Sequence, residues 1–491
     1  MLRQIIEHLR QILLQKTPLL LCSLILLHTL LHVKYFSLPP VGFHQWRQTQ
    51  TLSVARNFYE ESMNIFQPRV DSRGGFSGIT GMEFPLVNFV IALGYEVFGY
   101  SYTLQRVVIL LFSAGAIIAC YWFSRKLFRS ASLAFAAAFF LTFSPLFSYY
   151  SIVAMPDVPS LAFVFAALYY LLAWRERATQ AGFWVASLLL CVASLIKLSA
   201  LLLFPIWLWI CWDKRRAFSP RLRISYALGA IAILIPVGVW YLYAQHLSEL
   251  HHNFDFKLSV SFPYSLSIVP EVAKRVFIQW LPELYVNYAE FIFVIIGVFA
   301  LRRSNTFLKG FLALYLAGLA VFMVAMFPML EMHDYYMIPA LPLLVTIATV
   351  GIRDACEWST RSKSRSFLIL LLLLLVPIVG SIRALSRFEG ATIEPEMLTI
   401  ERYLDAVVPD RRRLVIAASD SSPSIYLYFM HRKGWSVTEG ISAGAFEDLI
   451  RRGARYLVSD SRLLDQRPEI AKDLVLMSTV GKFKIFWLRI P

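Results

Sequence analysis

Charge is scarce in this chain. Only 16% of its 491 residues are Asp, Glu, Lys or Arg, against about 25% in soluble domains. That leaves too little polar surface for a soluble enzyme of this length. Cysteine is scarce as well. The five residues Cys22, Cys120, Cys191, Cys211 and Cys356 never fall at ligand spacing, which argues against a disulfide frame and a thiolate metal site. Low-complexity tracts and repeats of about 20–50 residues are missing, so the chain is neither disordered nor a solenoid. It contains no Walker A, HExxH, GxSxG or dinucleotide fingerprint. Phosphate-driven pumps and soluble nucleotide enzymes therefore gain little support.

What the sequence has in excess is apolar surface. Its hydrophobic share is 58% and its mean hydropathy is +0.59, so most of the molecule is solvated by lipid. The net charge is +15, with 47 Lys and Arg against 32 Asp and Glu. In a soluble protein that excess would suit nucleic acid. Here the cations fall in short clusters between apolar runs, the positive-inside pattern of a polytopic membrane protein, and no nucleic-acid partner is expected.

A spanning helix needs about 20 mostly apolar residues. The candidates are 17–36, 105–124, 131–149, 158–174, 183–196, 198–212, 225–244, 286–301, 310–328, 335–351 and 367–384, about eleven spans in all. Basic clusters such as Arg125/Lys126/Arg129, Lys214/Arg215/Arg216 and Arg302/Arg303/Lys309 follow every second span, whereas the short loops 150–157 and 329–334 hold no Lys or Arg. This alternation places the N-terminus inside and the C-terminus outside. The first 16 residues carry Glu7 and helical apolar spacing with no small-residue cleavage site, which reads as a cytoplasmic surface helix leading into an uncleaved first span. Two domains are expected. Residues 1–384 form the membrane domain, including an outer loop at 37–104. Residues 385–491 alternate strand and helix patterns and form a small α/β domain outside the membrane.

Ionisable groups at a membrane boundary are costly and therefore informative. The outer loop is dense in them: His44, Gln45, Trp46, Arg47 and Gln48, then Asp71, then Glu83. A guanidinium beside an indole suits an anionic, ring-bearing ligand, although a snorkelling cation in an aromatic belt reads equally well. Asp157, in Met155-Pro156-Asp157-Val158-Pro159, is either a helix cap or a general base or metal ligand. Lys197 lies alone between two apolar runs, where it meets an anion such as a lipid phosphate or snorkels to the interface. His333, Asp334, Tyr335 and Tyr336 open a span, as a binding group or as part of the interfacial tyrosine belt. His251, His252 and Asp255 read as a surface loop, since no further ligand lies at metal-site spacing.

The order of these parts resembles the GT-C class of membrane glycosyltransferases, in the protein mannosyltransferase and aminoarabinose transferase superfamily. It resembles in particular a bacterial subgroup with WRQ after the first span. The pieces that carry the likeness are HQWRQ…ARNF…PRVD…GMEFPL, Arg106 after GYSYTLQ, the PDVPS turn, IKLSALLLFP and HDYYMIPALP, over most of residues 17–351. The resemblance implies a polyprenyl-phosphate sugar as donor, an active site on the outer face of a bacterial inner membrane, and inversion at the anomeric carbon. It implies donor-phosphate contacts at Lys197, Arg47 and the His333/Tyr335/Tyr336 group, with Arg106 as a further binding residue. The family's paired acidic residues after the first span fall on His44 and Gln45, neither of them acidic. Asp157 and His44 are therefore the expected catalytic residues, with Asp71 and Glu83 in reserve. No cofactor is implied with certainty, and a divalent cation stays open. The acceptor is a lipid, a glycan or a protein. Two alternatives stand beside this reading: a polyprenyl-lipid transporter or flippase, and a non-catalytic protein that binds lipid-linked sugar.

Overall fold

The computed structural model describes residues 17–177, 179–214, 220–256, 260–389, 393–420 and 422–489. The N-terminal surface helix expected over residues 1–16, and Arg215 and Arg216 of the third basic cluster, lie outside the described residues. The chain divides into two compact units.

The first unit comprises Met1–Ser37, Gln105–Trp240 and Ser259–Glu389, and all its regular elements among the described residues are helices. Seven described helices are long and apolar enough to cross a membrane, or eight when the bent pair Leu266–Tyr285 and Tyr288–Arg303 counts as one span. The chain is a multi-pass membrane protein. By length and composition, seven or eight of the eleven expected segments are full-length spans among the described residues. All eleven segments are apolar helices, but Ala131–Phe143, Gln180–Ile196 and Leu198–Asp213 are shorter than a full crossing. Local sequence explains each break. Ser144 ends the first of these helices and, with its side chain accepting from the Phe147 N–H, starts the next at Pro145. Lys197 ends the second in an extended conformation.

Small residues let the helices of this unit approach closely. A side chain at Gly297 would meet the Ile347 carbonyl, and one at Gly351 would meet the Phe293 carbonyl. The helices Tyr288–Ala300 and Leu341–Ser359 thus cross backbone to backbone, the packing that membrane interiors use where no hydrophobic drive separates helix from lipid. Asn287 adds polar ties, donating to the carbonyls of Phe143 at 3.2 Å and Val376 at 3.3 Å.

The second unit gathers three stretches far apart in the chain: Leu38–Leu104, Tyr241–Leu258 and Gly390–Pro491. The outer loop therefore packs with the tail, where the sequence groups it with the membrane domain. The tail is the expected α/β domain, built on a five-stranded sheet. Its strands are β1 (Leu414–Ala418), β2 (Gly434–Val437), β3 (Ala454–Ser459), β4 (Leu474–Val480) and β5 (Phe483–Leu488), in the order β2-β1-β3-β5-β4. β1 runs parallel to β2 and β3, while β5 is antiparallel to β3 and β4.

β2 is absent from the sequence reading. Four residues are too few to show strand alternation. Its open edge is what draws in the outer loop. Gly434 donates to the Asp71 carbonyl at 3.1 Å, and its own carbonyl accepts from the Arg73 N–H at 2.8 Å. An exposed edge strand is a liability for aggregation, and residues 71–73 cover it.

Candidate functional site

In the membrane unit, Asp157 is the first residue of the helix Asp157–Arg177, where the helix dipole favours a negative charge. Its side chain is almost wholly buried. The Lys197 ammonium lies 3.3 Å from its carboxylate. Lys197 reaches it because the chain turns extended between the end of Gln180–Ile196 and the short helix Leu198–Leu203. A narrow cavity of about 20 Å³ beside the pair is lined by Ser160, Tyr315 and Pro339 among others, room for one water molecule.

The HDYY segment faces the same cation. The Lys197 ammonium stands 5.5 Å from the Tyr335 ring centroid and 5.7 Å from that of Tyr336, within the range of cation–π attraction. The His333 ring packs 5.4 Å and 5.3 Å from these two rings. Asp334 is turned elsewhere: it accepts from the Tyr150 hydroxyl at 2.6 Å and pairs with the Arg387 guanidinium at 2.5 Å, with all three side chains buried. Arg106, also buried, donates to the Ile152 carbonyl at 3.2 Å and so braces the turn that leads into Asp157. The structure thus unites Asp157, Lys197, His333, Tyr335 and Tyr336 in one group, with Arg106 on the adjoining turn.

The remaining candidates belong to the second unit. His44 precedes the helix Gln45–Glu60 in a left-handed conformation, φ 56°. Trp46 accepts the Ser424 hydroxyl on its carbonyl at 3.0 Å. Arg47 is ion-paired with Glu83, and its guanidinium lies 4.5 Å over the Phe256 ring. Gln48 spends its amide on the Phe43 carbonyl at 2.9 Å, closing its own loop. Asp71 is buried, held by Arg56 at 2.6 Å and by the Asn57 amide at 3.1 Å. With a fixed donor on each oxygen, it serves as a structural anchor in this arrangement. Arg56 also donates to the Tyr428 carbonyl at 3.1 Å, so the anchor ties the outer loop to the tail.

Several residues escaped the sequence reading. His28 and His32 sit inside the leucine-rich first span. His28 Nε2 is 2.8 Å from the Ser151 hydroxyl, and His32 Nδ1 is 2.8 Å from the His28 carbonyl. Two histidines one helical turn apart in an apolar span were the available signal. Asp255, read as surface loop, is half-buried instead, and burial pushes its carboxyl up to about 7 against a hydrogen bond from Ser72. Glu60 goes the other way. Burial alone would raise it, but the hydrogen bond with His431 and the nearby Arg56 and Lys433 hold it down at about 2. Among the described residues, no three His, Cys, Asp or Glu side chains gather as a metal-binding group.

Comparison with known proteins sets these features in a common frame. Residues 83–240 match the dolichyl-phosphate-mannose-protein mannosyltransferase family. An uncharacterized protein of Aquifex aeolicus (strain VF5) is 23% identical over 293 residues, 59% of this chain, and the match spans 57% of that relative's length. Among solved structures, apo ArnT from Cupriavidus metallidurans superposes with a TM-score of 0.64 at 12% identity, covering 96% of this chain and 98% of ArnT. The same enzyme bound to undecaprenyl phosphate gives a TM-score of 0.62 at 13% identity, with the same coverage. The oligosaccharyltransferase AglB from Archaeoglobus fulgidus, in complex with an inhibitory peptide and dolichol-phosphate, gives 0.59 at 13% identity over 92% of this chain and 70% of AglB. The chain has the GT-C glycosyltransferase fold.

Proposed function

We propose that this protein is an integral-membrane glycosyltransferase that moves a sugar from a polyprenyl-phosphate donor to an acceptor on the outer face of a bacterial inner membrane, with inversion at the anomeric carbon. The observation that carries this reading is the Asp157–Lys197 pair beside Tyr335 and Tyr336. Undecaprenyl phosphate and dolichol-phosphate in the ArnT and AglB structures support a lipid phosphate as the shared ligand chemistry.

The chemistry demands two things. Negative charge on the departing phosphate must be stabilised, and the acceptor hydroxyl must lose a proton. Lys197 serves the first with charge-assisted hydrogen bonds; Arg47 is the other cation that the family resemblance implies. Asp157 serves the second. In the resting protein it is the counter-ion of Lys197; a lipid phosphate arriving at the ammonium supplies a second anion and leaves the carboxylate available as base. His44 is the other candidate base, in the position where the family keeps an acid. We place the Asp157 site outside because the loops 150–157 and 329–334 beside it carry no Lys or Arg, while the opposite loops are basic.

The test is transfer by the purified full chain in nanodiscs, using undecaprenyl-phosphate-linked sugars carrying a radiolabel and cell-envelope lipid and glycan fractions as acceptors. Transfer that Asp157→Asn lowers about tenfold or more supports the reading. Uptake and flipping of the labelled lipid with no sugar transferred would replace it with the transporter reading.

A further inference from the structure

The tail domain contains a feature that the transfer chemistry does not use. The chain leaves β1 for β2 on one side and then crosses to β3 on the other, as the order β2-β1-β3 records. In open parallel sheets such a reversal opens a crevice at the carboxyl ends of the strands, where ligands bind. Here the residues just past those ends are Ser419 and Asp420 after β1, Thr438 and Glu439 after β2, and Asp460 to Arg462 after β3. A cavity of about 250 Å³ opens at that place, lined by Asp420, Tyr426, Glu439 and Arg462 together with Gln45 and Glu394. At liquid density it holds about eight water molecules, the room that one pyranose ring and its hydroxyls need.

The walls select among ligands. Asp420 is buried and rigidly placed, one oxygen accepting the Ser422 N–H at 2.9 Å and the other the Tyr426 N–H at 2.7 Å. Each carboxylate oxygen keeps a second lone pair for a hydroxyl, and Asp420 has no cationic partner among the described residues. Arg462 is already neutralised by Asp460 at 2.5 Å, and Glu394 by Lys482 at 2.5 Å. An anion would therefore meet carboxylates and no free cation. The Gln45 amide nitrogen adds a donor: it is buried and has no hydrogen-bond partner among the described residues. A buried donor left unmade is costly, and it asks for an acceptor such as a hydroxyl oxygen. Carboxylates to receive hydroxyl protons, an amide to donate, and the tyrosine Tyr426 together describe the recognition of a polyol.

We propose that this cavity is a carbohydrate-binding subsite that holds one neutral or amino-substituted sugar unit. It rests on the transferase reading only in that the sugar held there is then part of the acceptor; the binding itself does not depend on transfer.

The experiment is saturation-transfer NMR on the full chain in nanodiscs free of glycoside detergent, with methyl β-D-glucopyranoside, N-acetylglucosamine, glucosamine and glucose 6-phosphate as probes. The expected result is transfer to at least one uncharged or amino sugar and none to glucose 6-phosphate. The effect should weaken about tenfold in Asp420→Asn and in Gln45→Leu, as loss of a hydrogen bond to a charged or buried group predicts. The Gln45 amide nitrogen makes no hydrogen bond among the described residues, so the unfolding temperature of Gln45→Leu should stay near the parent's and keep the result interpretable. Three outcomes overturn the proposal: no transfer to any sugar, equal transfer to glucose 6-phosphate, or undiminished transfer in Gln45→Leu. A chain that binds sugar here but transfers none in the radiolabel assay would overturn the transferase reading and leave this site standing.

Discussion

The Lys197 ammonium lies 3.3 Å from the Asp157 carboxylate, on a helix that begins at Asp157 and is reached from a break between two other helices. Removing either partner leaves a largely buried charge without its counter-ion, which is more costly than removing both. Lys197→Met and Asp157→Asn should each lower the unfolding temperature of the full chain, and the double variant should recover much of the loss. Donor use should behave differently. It should fall roughly ten- to a hundredfold in both singles and in the double, because the phosphate contact is gone in every variant containing Lys197→Met and the base in every variant containing Asp157→Asn. Normal turnover by well-folded Lys197→Met would show that the phosphate is held elsewhere.

Arg47 should share part of that role, but its effect must be separated from its ion pair with Glu83. Glu83→Gln breaks the pair and keeps the cation. Arg47→Ala is expected to raise the donor KM about tenfold, with Glu83→Gln within about twofold of the parent. Equal defects in the two variants would make the pair a structural tie.

The buried Arg56–Asp71 pair is such a tie. Arg56→Ala should destabilise the second unit by about 3–5 kcal/mol, the usual cost of orphaning a buried charge. Limited proteolysis offers a direct readout, with the tail becoming protease-sensitive in Arg56→Ala at concentrations that spare the parent. A tail equally resistant in both would mean that the outer loop is not anchored through Arg56.

Asp255 gives a pH signature. Its folded carboxyl titrates near 7 against an ordinary 3.8, so the folded form binds a proton that the unfolded chain releases. Stability from this group is full below about pH 4, falls as pH rises through the window up to about 7, and is level above it. Asp255→Asn should erase that slope. Its unfolding temperature should exceed the parent's by a few degrees at pH 8, and the two should converge near pH 4. Parallel curves across that range would put the titration on another group.

Topology can be read with reporters. The alternation of basic and cation-free loops predicts that the tail is outside. A reporter active only in the cytoplasm, joined to the tail, should stay silent, and one active only outside should signal. The reverse pattern would place Asp157 and Lys197 on the wrong face for an outer-leaflet donor.

Much of the architecture was legible because lipid imposes a simple composition rule. Each of the eleven apolar segments is helical, and the three shorter helices end or begin where Ser144 or Lys197 breaks the chain. The tail's β1, β3 and closing hairpin showed their patterns, whereas β2 was too short to do so. The site was legible as residue types but not as partnerships. Asp157 has no cation near it in sequence, yet Lys197 meets it in space. Asp71 looked available until Arg56 and Asn57 occupied its oxygens. Asp334 was read with the HDYY group, yet its partner is Arg387, more than fifty residues away. Pairings of this kind depend on which helices lie side by side, and a local sequence window carries no information about that.

The three-stretch composition of the second unit sets a timetable for biogenesis. Residues 38–104 leave the ribosome early, but the strand edge that residues 71–73 cover, and the Tyr428 carbonyl that Arg56 needs, are synthesised last. Until the tail follows, the early loop can form its own Arg56–Asp71 pair but lacks the Tyr428 carbonyl and the strand edge that complete its packing. The packing of residues 38–104 is thus completed only by residues made more than 300 positions later.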